Sequence, residues 1–212
     1  MILAEPFSDF VAHLRSRYGK GLPGQKGQFP LKPYISIDRK LNPPVNKNAR
    51  KSAVLALLYP IDGVPHMALI QRPEYGGVHS GQISFPGGKV EEEDKSLLDA
   101  ALRESNEEVG VEAGNIHILG PMTEIYVLAS NFIVYPFIGY ADHRPDFIID
   151  EHEVAELLEV PFGTFLNEDV IKEKVIMSKA GFKLNAPYFD VDGRTLWGAT
   201  AMMISEIVEL VK

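Results

Sequence analysis

Glu104, Glu107 and Glu108 stand at i, i+3 and i+4 in the run RESNEEVG. On a helix that spacing gathers three carboxylates on one face. Like charges so placed repel, and they fall toward the helix end where the backbone dipole disfavours anions. A sequence shaped by stability alone would avoid the arrangement. Clustered carboxylate oxygens suit a hard cation such as Mg2+ or Mn2+, which keeps several waters and bridges to phosphate. Such ions can neutralise a diphosphate, activate water and stabilise the displaced oxygen. The competing reading is a solvated acidic face; the glycine-rich turn FPGG that feeds the same helix weighs against it.

The helix is expected over Leu97 to Val109. Asp94 and Ser96 are both candidate N-caps, and Gly110 stands where a helix would stop. Leu98, Ala101, Leu102, Ser105 and Val109 form the stripe that can face a core. Upstream, SAVLALLYP from Ser52 reads as a buried strand, IDGVP as a turn and HMALIQR as the returning strand of a hairpin. ISFPGG reads as a short strand ending in a glycine turn. Downstream, strands are expected near Ile116–Leu119, Glu124–Leu128 and Phe132–Tyr140, followed by the acidic loop DFIIDEHE. A short helix near Phe162–Leu166, strands at Val175–Ser178 and Tyr188–Val191, and a helix from about Ala199 to Leu210 complete the pattern. This mixture predicts an α/β sandwich around a mixed sheet rather than a βαβ series.

The first 50 residues have another character. Phe7, Phe10, Val11 and Leu14 have helical spacing within Phe7 to Tyr18, and the rest is rich in glycine, proline and lysine. Residues 1–50 therefore read as an N-terminal extension, a short helix plus loop, and residues 51–212 as the main domain. GLPGQKG, within the extension, lacks both the residue order and the preceding strand of a phosphate loop.

Composition sets the outer bounds. With 212 residues, 45% hydrophobic and 24% charged, the chain can bury the core of one globular domain. A net charge of −8 argues against nucleic-acid binding, and an anionic substrate would need a cation or a local basic patch to approach. No apolar run reaches the ~18 residues of a membrane span, and the first residues lack the layout of a signal peptide. The absence of cysteine excludes disulfides, thiolate metal sites and a cysteine nucleophile. A cytoplasmic protein is the expectation.

FPGGKVEEEDKSLLDAALRESNEEVGV resembles the Nudix box, G-x5-E-x7-R-E-U-x-E-E-x-G-U, where U is a bulky aliphatic residue. Gly88, Arg103, Glu104, Glu107, Glu108, Gly110 and Val111 fall on it. Ser105 replaces the aliphatic residue after Arg-Glu, and the span from Gly88 to Arg103 is one residue longer, with Asp94 nearest the first glutamate position. The resemblance implies a Nudix-type α/β/α sandwich around a mixed β-sheet and a pyrophosphohydrolase dependent on Mg2+ or Mn2+. It also implies that Glu104 and Glu108 are the main metal ligands, Glu107 an assisting one and the Gly87 carbonyl a further one. Arg103 would orient the glutamates through charge-assisted hydrogen bonds; the plain alternative is a surface pair with Asp99 or Glu107.

Upstream of the box, ALIQRPEYGGVHSGQISFPGG is similar to the coenzyme A pyrophosphatase pattern L-L-T-x-R-[SA]-x3-R-x3-G-x3-F-P-G-G. Leu69, Arg72, Gly81, Phe85, Pro86, Gly87 and Gly88 are in register. Ile70, Pro73 and Gly77 take the threonine, Ser/Ala and second arginine positions. This similarity implies a coenzyme A-like nucleotide as the small-molecule partner and admits a homodimer. Arg72, His79, Gln82 and Lys89 are the candidate substrate contacts, with Lys47, Arg50 and Lys51 as further phosphate candidates. Glu151 and Glu153, in the acidic loop, could supply a base or an extra ligand, with Glu153 the candidate catalytic residue. Trp197 reads as a core anchor rather than a stacking platform. Three functions stay open: cleavage of coenzyme A or a derivative to 4′-phosphopantetheine and 3′,5′-ADP; cleavage of ADP-ribose, NADH or dinucleoside polyphosphates; and a catalytically silent binding module of the same fold.

Overall fold

The structure, a computed structural model, describes residues 6–34, 45–76, 79–177 and 183–212. Its centre is strand β1 (Arg50–Ile61), buried without interruption from Ala53 to Tyr59. A strand covered on both faces has to read as a continuous apolar run. Asp62 and Gly63, both at positive φ (49° and 79°), close the hairpin to β2 (Val64–Gln71), the geometry a two-residue turn between twisted strands requires. On its other edge β1 pairs in parallel with β7 (Phe132–Tyr140), from Arg50 opposite Phe132 to Leu58 opposite Tyr140.

The edge that β1 offers to β2 is shared. β2 pairs along Leu58–Ile61, whereas β4 (Gly87–Lys89) pairs along Ser52–Val54. The glycines expected as a turn thus form a short strand laid on β1. β3 (Ile83–Ser84) pairs with the end of β2, and β8 (Glu156–Pro161) runs antiparallel to β2 on its other edge. β5 (His117–Pro121) and β6 (Ile125–Val127) pair with β7. A separate antiparallel sheet holds β9 (Ile171–Met177), β10 (Lys183–Val191) and β11 (Arg194–Trp197).

Helices cover both faces of the large sheet. α3 (Leu97–Val109) packs with Ala53, Leu55, Ala68 and Ile70 on one face. On the other face lie α1 (Phe7–Tyr18) and α5 (Gly198–Val211), with Leu58, Leu69 and Phe85 beneath them and Phe189 and Leu196 of the small sheet beside them. The architecture is the expected α/β/α sandwich around a mixed sheet. The turn-like helices α2 (Gln25–Gln28) and α4 (Gly163–Leu166) complete the set.

The stretch after α1 departs from a plain loop. Glu206 of α5, fully buried, accepts hydrogen bonds from Gly24 N–H (3.1 Å), Gln28 Nε2 (2.9 Å) and Thr123 Oγ1 (2.6 Å). Gly27 passes so close to α5 that a Cβ would come within 3.1 Å of the Glu206 Cα. β8 and β11 are also additional to the sequence expectation, β10 begins earlier than Tyr188, and β9 begins at Ile171; Ser178 lies outside the described residues.

Candidate active site

α3 carries the site, and its ends explain its position. Ser96 is the N-cap: its Oγ accepts from Asp99 N–H at 3.1 Å. Gly110 ends the helix in the left-handed region at φ 73°, and a Cβ there would lie 2.8 Å from Ile148. That close approach brings in the acidic loop. Ile148 N–H donates to the Val109 carbonyl and Asp150 N–H to the Glu108 carbonyl, each at 3.0 Å. Two orphan carbonyls of the last turn are thereby satisfied, and the following turn delivers Glu153. One carboxylate oxygen each of Glu104, Glu108 and Glu153 lies within 4.8 Å of the others.

The three differ in exposure, Glu108 being buried, Glu104 half-buried and Glu153 exposed, so the cluster opens from the interior to solvent. Glu108 Oε2 accepts from Gly87 N–H at 2.7 Å. Its Oε1 lies 3.2 Å from Arg72 Nη2 as an ion pair, but out of hydrogen-bond alignment, and is a buried oxygen without a hydrogen-bond partner. Burial pushes the Glu108 carboxyl up to about 7; Arg72 and the Gly87 N–H oppose that shift, while Glu104 and Glu153 add to it. Burial also raises Glu104, against the pull of Arg103.

The two glycines of the turn have separate reasons. At Gly87, φ 145°, a Cβ would lie 2.4 Å from the Ala53 carbonyl and 2.5 Å from the Val54 Cα, so β4 could not lie on β1. At Gly88 a Cβ would lie 2.2 Å from a carboxylate oxygen of Glu104, so the missing side chain makes room for that carboxylate.

Arg103 is the hub of the surrounding charges. It clamps Asp94 with Nε and Nη2 at 2.9 and 3.0 Å, and Nη1 donates to Glu104 Oε1 (3.0 Å) and Glu107 Oε2 (2.9 Å). The guanidinium hydrogen bonds hold the Asp94 carboxyl below its usual range. Asp94 is therefore neither the cap nor a member of the cluster; one residue of extra loop turns it onto Arg103. The structure directs Glu107 to Arg103 with its side chain 54% exposed, apart from the three clustered carboxylates. Ser105, at the aliphatic position, is buried and bonds back to the Ala101 carbonyl at 2.7 Å.

The remaining candidates divide. Arg72 Nη2 donates to the Gly87 carbonyl at 2.8 Å, linking two groups picked from sequence. His79 Nδ1 and Gln82 Oε1 are 2.9 Å apart in the loop before β3. The Lys89 carbonyl accepts from Arg103, and its side chain is exposed. Arg50 stacks on Phe132 and Lys51 lies exposed on β1, Lys47 in the turn before it. Glu151 is outside the three-carboxylate group. Gly77 lies outside the described residues.

A divalent cation fits this donor set: three converging carboxylates, one with a buried oxygen lacking a hydrogen bond, in a site shaped by a glycine with no room for a Cβ. A cation held there would supply Lewis acidity, neutralising a diphosphate and activating water for attack on phosphorus. Arg103 orients Glu104 and the Gly87 N–H orients Glu108.

The NUDIX domain family model matches residues 49–178. The Nudix hydrolase NudL of Yersinia enterocolitica is 31% identical over 183 residues, covering 85% of this chain and 93% of that protein. NudL of Yersinia pestis is 30% identical over 147 residues, 69% of this chain and 73% of that protein. Among solved structures, a MutT/nudix family protein from Enterococcus faecalis matches with TM-score 0.52 at 19% identity, over 81% of this chain and 66% of that one, a likeness of fold. Family model and relatives together show that the chain belongs to the Nudix hydrolase family.

Proposed function

We propose that this Nudix pyrophosphohydrolase acts on coenzyme A or an acylated derivative, yielding 4′-phosphopantetheine and 3′,5′-ADP. The coarser activity, cleavage of a nucleoside diphosphate linked to another group, follows from the family. The observation that carries the finer reading is the packing of the Leu69–Gly88 frame against the glycine turn. Arg72 reaches the Gly87 carbonyl with its side chain and the Gln82 carbonyl with its N–H (3.0 Å), and Gly81 N–H closes the loop on the Pro73 carbonyl (3.1 Å). A loop so tied to the reacting centre can convert contacts with remote parts of a substrate into positioning of its phosphorus.

In this reading Glu104, Glu108 and the Gly87 carbonyl hold Mg2+ or Mn2+, Glu107 assists, and Arg103 positions Glu104 and Glu107. Glu153, at the open side, takes the proton from the attacking water. Arg72, His79, Gln82 and Lys89 serve the substrate. The test compares kcat/KM for coenzyme A, dephospho-coenzyme A and ADP-ribose under identical metal and salt. Coenzyme A is expected to be the best of the three. Turnover of ADP-ribose at least as efficient as both others overturns the coenzyme A reading and leaves the family chemistry.

A further inference from the structure

An open cleft of about 400 Å3 lies beside the loop that precedes the glycine turn. Gln71 and Gln82 line one side; Lys174, Arg194, Thr195 and Trp197 of the small sheet line the other. The register of that sheet accounts for Lys174, Thr195 and Trp197. Tyr188 lies opposite both Lys172 and Trp197, and Lys174 opposite Ala186, so Lys174, Tyr188 and Trp197 share a face. Lys174 Nζ donates to Thr195 Oγ1 at 2.9 Å and stands 5.4 Å from the centre of the Tyr188 ring. Arg194 is neutralised by Glu156 at 3.0 Å, whereas among the described residues no carboxylate pairs with Lys174. In a chain of net charge −8, a lysine without a carboxylate partner in a concave site beside a half-buried tryptophan suits an anionic group attached to a flat ring.

The cavity is joined to the carboxylate cluster through the chain. Gln71 lines it, and the next residue, Arg72, contacts Gly87 and Glu108. Gly87 follows Ile83, another lining residue, by four positions, a reach of at most about 14 Å.

Resting on the coenzyme A reading, we propose that this cleft receives the phosphomonoester-bearing nucleoside end of the substrate. Lys174 faces the phosphate, and Trp197 presents its ring to the base. Specificity for a nucleotide carrying a phosphate away from its diphosphate then comes from the small sheet, while α3 handles the diphosphate.

Trp197 is the sole tryptophan, so indole fluorescence reports on the cleft. The full chain is titrated with adenosine 3′,5′-bisphosphate and with adenosine 5′-monophosphate in chelator, which removes cation-mediated binding at α3; calorimetry of the same titrations detects binding that leaves the emission unchanged. The expected result is about tenfold tighter binding of the bisphosphate, weakened by salt and lost about tenfold in Lys174→Gln, the scale of one charge-assisted contact. Equal affinity for the two nucleotides, or unchanged affinity in Lys174→Gln, overturns the proposal. A protein that binds the bisphosphate as expected yet cleaves ADP-ribose as well as coenzyme A keeps the cleft and loses the substrate reading. The converse pattern loses the cleft alone.

Discussion

At the scale of single residues, neighbouring glycines separate stability from activity. Gly88→Ala forces only the end of the Glu104 side chain to move, since a Cβ would meet its carboxylate. Thermal stability should change little, while kcat/KM falls roughly tenfold or more through the displaced carboxylate. Gly87→Ala drives a methyl into the β1 backbone at a φ that L-residues rarely adopt, and a loss of about 3 kcal/mol is expected from chemical denaturation. Equal behaviour of the two variants would contradict this division. Glu108 gives a pH signature in metal-free buffer. Its carboxyl sits at about 7 against an ordinary 4.5, so protonation favours the fold. That contribution is complete below about pH 4.5 and lost as pH rises through about 7, an effect of about 3 kcal/mol. Denaturation with chelator at pH 5 and pH 8 should show it in the wild type and much less in Glu108→Gln; the same pH dependence in both would count against it.

At the scale of elements, α3 was legible because its signals agree: a serine cap, a glycine stop, an apolar stripe and a turn that only glycines can make. The burial of Glu108 was not, because helical spacing puts it on the acidic face while the adjacent strand β4 covers it. Sequence names Glu153 beside Glu151 in the acidic loop without a structural reason to separate them. Backbone donors from that loop to the last carbonyls of α3 select Glu153, and such bonds leave no residue pattern. β8 carries no strand alternation in sequence because Leu157 and Leu158 face opposite cores. Lys174 stands on an exposed strand, where a lysine carries no signal until β11 is placed beside it. α5 offers a test at this scale. Glu206→Ala leaves the Gln28 and Thr123 donors without their acceptor, and a loss of roughly 2–4 kcal/mol is expected. Hydrogen exchange should rise first in residues 24–31; uniform acceleration across the chain instead would mean that Glu206 does not latch that segment.

At the scale of the whole molecule, the sandwich places an acidic cluster on one face of the large sheet and a cationic cavity beside the small one, within a chain of net charge −8. Among the described residues no helix is long and apolar enough to cross a membrane. A substrate bearing several phosphates would meet that negative field unless cations carried part of the charge, so the proposed cation site is the first part of the account to test. It can be measured without a substrate. Mn2+ is titrated calorimetrically into the wild type, Glu108→Gln and Glu107→Gln at one pH and salt. The expected result is a loss of roughly tenfold or more in affinity for Glu108→Gln, and a smaller one for Glu107→Gln, whose carboxylate is exposed and bonded to Arg103. Wild-type Mn2+ affinity in Glu108→Gln would contradict the assignment of the cluster as the cation site.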